Sequence, residues 1–275
     1  MSLIERIVLA LAVATLASSP CRAREPVDLR LYVLDCGYLR TTSTQHWGVT
    51  PQEAGITDMA VPCYLIRHGS EFLLFDTGLG DAHAGRADRV GDMTLDVPAT
   101  IEPQLAAIGI AAQDIDMVAV SHFHFDHVGN LARFPAARLL VQRAEVAQVA
   151  ARPYPFTPAD AVARLNSGKV EALDGDFDVF GDGTVVLQST PGHSPGHQSL
   201  FVRLAREGPV LLSGDLYHYE AELVLNRVPP REAATATPHS RARMQALVER
   251  EHGRIWVDHD MKRFRSRREP PAFFD

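Results

Sequence analysis

A single α/β domain built on a mixed sheet is the fold class this sequence predicts. Short apolar runs, rich in β-branched residues, alternate with segments of helical periodicity. The chain of 275 residues is 46% hydrophobic, enough for one large core. Several predicted strands also stop abruptly in loops that carry histidine or aspartate, which is where α/β sheets usually present their chemistry.

In chain order, Leu29 to Leu34 reads as the first strand, and the polar stretch from Gly37 to Asp58 as a long loop of the kind that forms lids or substrate walls. Trp47 within it either lines a pocket or pins the loop. Val61–Arg67 and Glu71–Phe75 are strands joined by a hairpin turn at His68-Gly69-Ser70. Thr100–Ile108 reads as a helix, with Pro103 tolerated in its first turn and Gly109 after its end. Met117–Val120 is a short buried strand, Arg138–Gln142 another, and Ala144–Ala151 a helix. Pro153–Lys169 reads as an insertion over the site rather than core. A meander follows through Thr184–Gln188, Gln198–Leu204 and Pro209–Ser213. Ser240–His252 is helical, and Arg254–Val257 is a last strand. The basic run Lys262–Arg268 reads as a solvated tail. There is no internal repeat or second core in this reading.

Residues 1–23 are expected to be a secretory signal rather than fold. One arginine precedes the apolar run Ile7–Ala17, and Cys21-Arg22-Ala23 supplies a small-residue cleavage site before Arg24. The apolar run is too short for a comfortable membrane span, and Pro20 before Cys21 does not fit a lipoprotein signal. The remainder, residues 24–275, is expected to be one exported domain, periplasmic in a two-membrane source, without stable membrane insertion. The formal charge of −7 argues against a nucleic-acid partner. Cys36 and Cys63 sit in apolar strand-like segments and are read as two small core residues, because spacing alone does not show that they approach closely enough to bond.

The chemistry concentrates in Ser121-His122-Phe123-His124-Phe125-Asp126-His127, where three histidines and a carboxylate fall within six residues directly after a buried strand. Imidazole and carboxylate together suit borderline divalent ions such as zinc. Other strand ends offer further metal-competent side chains. They are Thr190-Pro191-Gly192-His193, Gly214-Asp215, and His259 after the last strand. Asp76, in Asp76-Thr77-Gly78 after Phe75, is either a turn cap or an acceptor that orients a metal-binding histidine.

In this set and order of motifs the chain resembles the metallo-β-lactamase superfamily. The resemblance implies a four-layer αβ/βα sandwich with a two-metal site on one edge of the paired sheets. Carried over by position, His122, His124 and His193 hold one ion, Asp126, His127 and His259 hold the second, and Asp215 bridges them. His197 is then packing or an outer support. Zinc is the default ion, with iron, manganese or cobalt also compatible with such donors.

Within the superfamily the chain resembles the N-acyl-homoserine lactonase branch. That likeness rests on Leu31–Gly37, on Val61–Ile66 before the Asp-Thr-Gly turn, and on His193-Ser194-Pro195-Gly196-His197-Gln198-Ser199-Leu200-Phe201. It implies opening of a small-molecule lactone by a hydroxide shared between two ions, with the leaving alkoxide protonated through Asp126. The branch carries a helper tyrosine after the bridging aspartate; here that position is His218, flanked by Tyr217 and Tyr219. His218 is the expected helper at the lactone carbonyl and Tyr217 the second choice. Phe123, Phe125 and Trp47 are candidates for an acyl-chain wall, with core packing the stronger expectation for both phenylalanines. The alternatives are a hydrolase of another ester, lactone or amide on the same fold, and a metal-dependent binding protein without catalysis.

Overall fold

The computed structural model describes residues 27–232 and 234–275. The expected signal, residues 1–23, therefore lies outside the described residues. Eight strands form the first sheet: β1 (Leu29–Arg40), β2 (Met59–His68), β3 (Glu71–Phe75), β4 (Arg89–Val90), β5 (Met93–Asp96), β6 (Met117–Ala119), β7 (Arg138–Gln142) and β8 (Val170–Leu173). The second sheet holds β9 (Phe177–Asp178), β10 (Val185–Ser189), β11 (Gln198–Leu204), β12 (Gly208–Leu212) and β13 (Arg254–Trp256). The helices are α1 (Pro51–Ala54), α2 (Ile101–Ile108), α3 (Phe125–Val128), α4 (Arg143–Ala151), α5 (Ala159–Arg164), α6 (Glu220–Val224), α7 (Thr237–Arg250) and α8 (Met261–Arg265). The first sheet runs β4-β5-β1-β2-β3-β6-β7-β8 and the second β13-β12-β11-β10-β9.

Alternation along the strands builds four layers. Successive strand residues point to opposite faces, so Leu31, Val33, Leu73 and Phe75 meet Leu200, Val202, Val210 and Leu212 between the sheets. Their neighbours Tyr32, Leu34 and Leu74 face outward, under Ile101 and Leu105 of α2, Val149 of α4 and Ala161 of α5. On the other side Phe201 and Leu211 are covered by Met244, Leu247 and Val248 of α7. Each such aliphatic side chain contributes roughly 1.5–3 kcal/mol by leaving water. The arrangement is the helix–sheet–sheet–helix sandwich that the resemblance implies.

Strand direction then sets where the chemistry lies. β3, β6 and β7 are parallel, as are β12 and β13. Their C-terminal ends share one edge, and the sheets are tied there by Gln198, whose backbone N–H donates to Ser121 O at 2.9 Å and whose Nε2 donates to Val120 O at 2.8 Å.

Four expectations are corrected. Cys36 and Cys63 are joined by a disulfide, with Cα atoms 5.8 Å apart; the antiparallel pairing of β1 with β2, irregular after Asp35, brings them together. Gly37–Arg40 continues β1 instead of opening the long loop. Pro153–Lys169 only partly overlies the site, since Ala161 of α5 is in the outer core while Pro155 and Phe156 border the cleft. The basic run is not a solvated tail: Met261 and Phe264 of α8 are buried, Arg267 reaches Asp35 at 3.1 Å, and Phe274 pairs with Leu31. Charge counted residue by residue hides the apolar face that docks this segment.

Candidate metal centre

The histidine cluster is divided by a change of backbone. His124 is extended, at φ −69° and ψ 156°, and α3 starts at Phe125. Residues before that point alternate in direction, whereas helical rotation sends Asp126 and His127 elsewhere. His193 is delivered by the turn after β10. Gly192 lets this turn lie against α7, because a Cβ there would stand 2.1 Å from Thr237 Oγ1. Asp215 follows β12 and His259 follows β13.

Two sets of donor atoms result. His124 Nδ1 lies 2.7 Å from His122 Nε2 and 2.9 Å from His193 Nε2. Asp215 Oδ2 is 3.2 Å from His193 Nε2 and 3.7 Å from His122 Nε2. The other oxygen, Oδ1, is 2.9 Å from His259 Nε2 and 3.1 Å from His127 Nε2. Asp258 shares this second group, and Asp126 Oδ2 stands further out, 3.7 Å from His127 Nε2 and 3.9 Å from His259 Nε2. Donors about 2.0–2.1 Å from a tetrahedral ion stand roughly 3.3 Å apart, so both sets fit a divalent ion. Among the described residues His127 Nε2 is buried without a hydrogen-bond partner, as a ligand nitrogen requires. The two oxygens of Asp215 face different sets, so one carboxylate is within reach of both.

Each set has outer partners. Asp76 Oδ2 lies 2.8 Å from His127 Nδ1, and its Oδ1 accepts the Ser121 N–H at 2.6 Å; of its two sequence readings, this is the orienting acceptor. His259 Nδ1 is 2.6 Å from Ala60 O. Glu232, which sequence reasoning missed, places Oε1 2.8 Å from His193 Nδ1 and takes Thr237 Oγ1–H on Oε2 at 3.0 Å. Burial opposes its charge, but His193 and Thr237 hold its pKa below the usual carboxylate range. Asp258 was missed as well. It is buried beside His127, Asp215 and His259, and burial pushes its carboxyl up to about 7. His197 lies beneath the centre, with Nδ1 2.8 Å from Thr190 Oγ1, and burial takes it down to about 3.

The electrostatics differ between the sets. Burial holds His122 and His124 well below the ordinary imidazole value, reinforced by neighbouring histidines. Burial pulls His127 and His259 the same way, yet Asp215 and other carboxylates raise both.

Above the centre lies a cleft of about 230 Å³, lined on its apolar side by Leu39, Trp47, Met59, Met93, Phe125 and Phe156. A second arm of about 360 Å³ shares Trp47, His124, His193 and His218 and reaches Arg231 and Asp92. Trp47 and Phe125 thus border the cleft, whereas Phe123 is wholly buried in the core. His218 borders both arms, with Nε2 3.2 Å from Asp215 Oδ2. Burial disfavours its charge, but Asp215 and Glu222 carry it up to about 10. Tyr217, the second-choice helper, faces away: its hydroxyl accepts from Gln245 Nε2 at 3.0 Å and its ring lies under Arg241. Adjacent residues of an extended segment point oppositely, so only one of the pair can enter the cleft.

Residues 56–255 match the family described as the metallo-beta-lactamase superfamily. The chain is 30% identical over 268 residues to the N-acyl homoserine lactonase AttM of Azorhizobium caulinodans, covering 90% of this chain and 99% of that protein. It is 27% identical over 257 residues to the N-acyl homoserine lactonase AiiA of Bacillus thuringiensis subsp. kurstaki, covering 89% and 98%. A solved N-acyl homoserine lactone hydrolase, with the product N-hexanoyl-L-homoserine bound at its catalytic metal centre, superposes with a TM-score of 0.74 at 26% identity, covering 89% and 98%.

Proposed function

The chain belongs to the metallo-beta-lactamase superfamily, and from that premise we propose that it is a metal-dependent hydrolase that opens the lactone ring of N-acyl homoserine lactones. The observation that carries the reading is the pair of donor sets sharing Asp215 at the floor of a cleft with one apolar wall. The names of its relatives point to the same substrate class.

In this reading His122, His124 and His193 would hold one ion and Asp126, His127 and His259 the other, with Asp215 within reach of both. Zinc is the expected ion, since the donors are imidazole nitrogens and carboxylate oxygens. Bound divalent ions would supply Lewis acidity and a water of lowered pKa, able to attack near neutral pH. The protein's own groups do the rest. His218 donates through Nε2 to the carbonyl oxygen as charge develops there, a role worth about 3–4 kcal/mol when such a donor is removed. Asp126 takes the proton that the attacking water gives up and passes it to the alkoxide released by ring opening. Trp47, Met93, Phe125 and Phe156 receive the acyl chain and exclude water.

We also propose that the protein is exported, from two features together: the charged, apolar and small-residue order of residues 1–23, and the disulfide between Cys36 and Cys63, which suits an oxidising compartment such as the periplasm.

The test is proton release in a pH-stat with N-acyl homoserine lactones of graded chain length, a β-lactam and a simple aryl ester serving as controls. Ring opening of at least one chain length, with about two ions per chain, is expected. No proton release with any of them would sink the lactonase reading, and hydrolysis of the aryl ester alone would move the protein to another ester substrate.

A further inference from the structure

A histidine at the helper position makes a demand that a tyrosine would not. A phenol offers one polar atom, whereas an imidazole offers two, and the partner of one nitrogen fixes the role of the other. Nε2 of His218 faces Asp215 and the cleft, while Nδ1 lies 3.3 Å from Glu222 Oε1 on the buried side. Among the described residues Nδ1 has no formed hydrogen bond, and Glu222 Oε1 stands within reach of it by charge. Trp47 walls the opposite side of the ring at 5.8 Å between centroids.

Glu222 is fully buried, and its Oε2 lies 2.5 Å from Arg241 Nη2. Arg241 is also buried. Its Nε donates to Leu216 O at 2.8 Å, Nη1 donates to the Arg227 carbonyl, and the guanidinium sits 4.2 Å over the Tyr217 ring. Glu222 Oε1 also accepts the backbone N–H groups of His218 and Tyr219 at 3.1 and 3.2 Å. Those two bonds cap α6, but an uncharged or exposed side chain can cap a helix. Burying a carboxylate and a guanidinium costs each its hydration, and replacing such pairs by apolar side chains is often neutral or better for stability. Capping therefore does not account for the pair, whereas a ring that must be held in one orientation does.

We propose that Glu222, with its charge matched by Arg241, is the positioning residue for His218, turning the ring so that Nδ1–H faces the protein and Nε2 faces the substrate carbonyl. The proposal rests on the reading of His218 given above and adds the device that makes a histidine workable there.

A double-mutant cycle tests it on the metal-loaded enzyme, with Glu222→Gln, His218→Phe and the combination. Glu222→Gln is expected to lower kcat about 10-fold or more with KM nearly unchanged, and to cost little further in the His218→Phe background, because residues that act through one another are not additive. Losses that multiply would mark Glu222 as a helix cap only and overturn the proposal. A second readout needs no turnover: nitrogen-15 spectra of histidine-labelled, metal-loaded protein, with the His218 signals identified by their disappearance in His218→Phe. Wild-type Nδ1 is expected to carry the proton, and its signal to move in Glu222→Gln while ion content and circular dichroism stay unchanged. A bare or metal-bound Nδ1 in the wild type refutes the positioning role even where no lactone is opened. Absence of lactone opening beside a protonated Nδ1 counts against the substrate assignment alone. If Glu222→Gln does not fold, Glu222→Asp replaces it in both readouts.

Discussion

Glu232 offers the sharpest perturbation of the centre because it touches one donor set through a single histidine. Its Oε1 lies 2.8 Å from His193 Nδ1, its second oxygen is occupied by Thr237, and its side chain is 10% exposed. Replacing it by alanine removes a charge-assisted hydrogen bond, worth about 1.5–3 kcal/mol. At 1.4 kcal/mol per decade this is roughly a 10- to 150-fold loss, in line with the ~10–100-fold cost of losing an outer carboxylate from a metal-bound histidine. Only the ion held with His122 and His124 is expected to lose it, since His193 does not belong to the His127–His259 set. Competition titration against a chromophoric chelator resolves the two binding events. One is expected to weaken by that factor in Glu232→Ala, with the other changing by less than about threefold. Glu232→Gln, which keeps an acceptor, is expected to fall between. Equal weakening of both ions, or of neither, would refute the division of the centre into two sets.

Asp76→Asn is the mirror experiment, expected to weaken the His127–His259 ion about 10- to 100-fold and spare the other; the same titration checks it. Acidification is expected to release the ions in order. Carboxylates raise His127 and His259, so protons compete there as pH falls towards neutrality and below, while burial keeps His122 and His124 neutral. Metal content measured after equilibration at stepped pH is therefore expected to pass through a one-ion plateau, and simultaneous loss would contradict the shifts. In the ion-free protein the sign runs the other way. The raised His127 and His259 pKa values stabilise the fold fully below the ordinary imidazole value near ~6.5 and lose that contribution as pH rises through their folded values. His218→Phe is expected to lower kcat about 10²–10³-fold and Tyr217→Phe to leave it within about twofold, compared in one lactone assay. Replacing Cys36 and Cys63 by alanine is expected to cost about 3.5 kcal/mol in denaturant unfolding, from the 27-residue separation the disulfide closes.

The parts legible in the sequence were those written locally. His122, His124, Asp126 and His127 stand within one strand-end loop, and His193, Asp215 and His259 each follow a strand whose apolar alternation announces where it stops. Glu232 and Glu222 lacked such a signal, and Asp258 shared that of His259 beside it. Glu232 meets His193 across 39 positions, and Glu222 gains meaning only when Arg241 closes on it. The disulfide was hidden for the same reason, since strand pairing rather than spacing brings Cys36 to Cys63. The short edge strands Arg89–Val90 and Phe177–Asp178 are too brief for any period to show. Tyr217 and His218 differ by one position, and only the backbone direction decides which of them enters the cleft.

The docked segment around Phe274 bears on how the molecule is made. Leu31, in the first strand, pairs with Phe274, and His259 arrives only a little earlier in synthesis. Translation delivers residues in order, so the contacts of His259 and Phe274 form only after the residues of both sheets have emerged. Cys36 and Cys63, by contrast, belong to an early hairpin and can be joined as soon as that hairpin forms. The covalent tie between the first two strands can therefore precede the contacts that His259 and Phe274 bring.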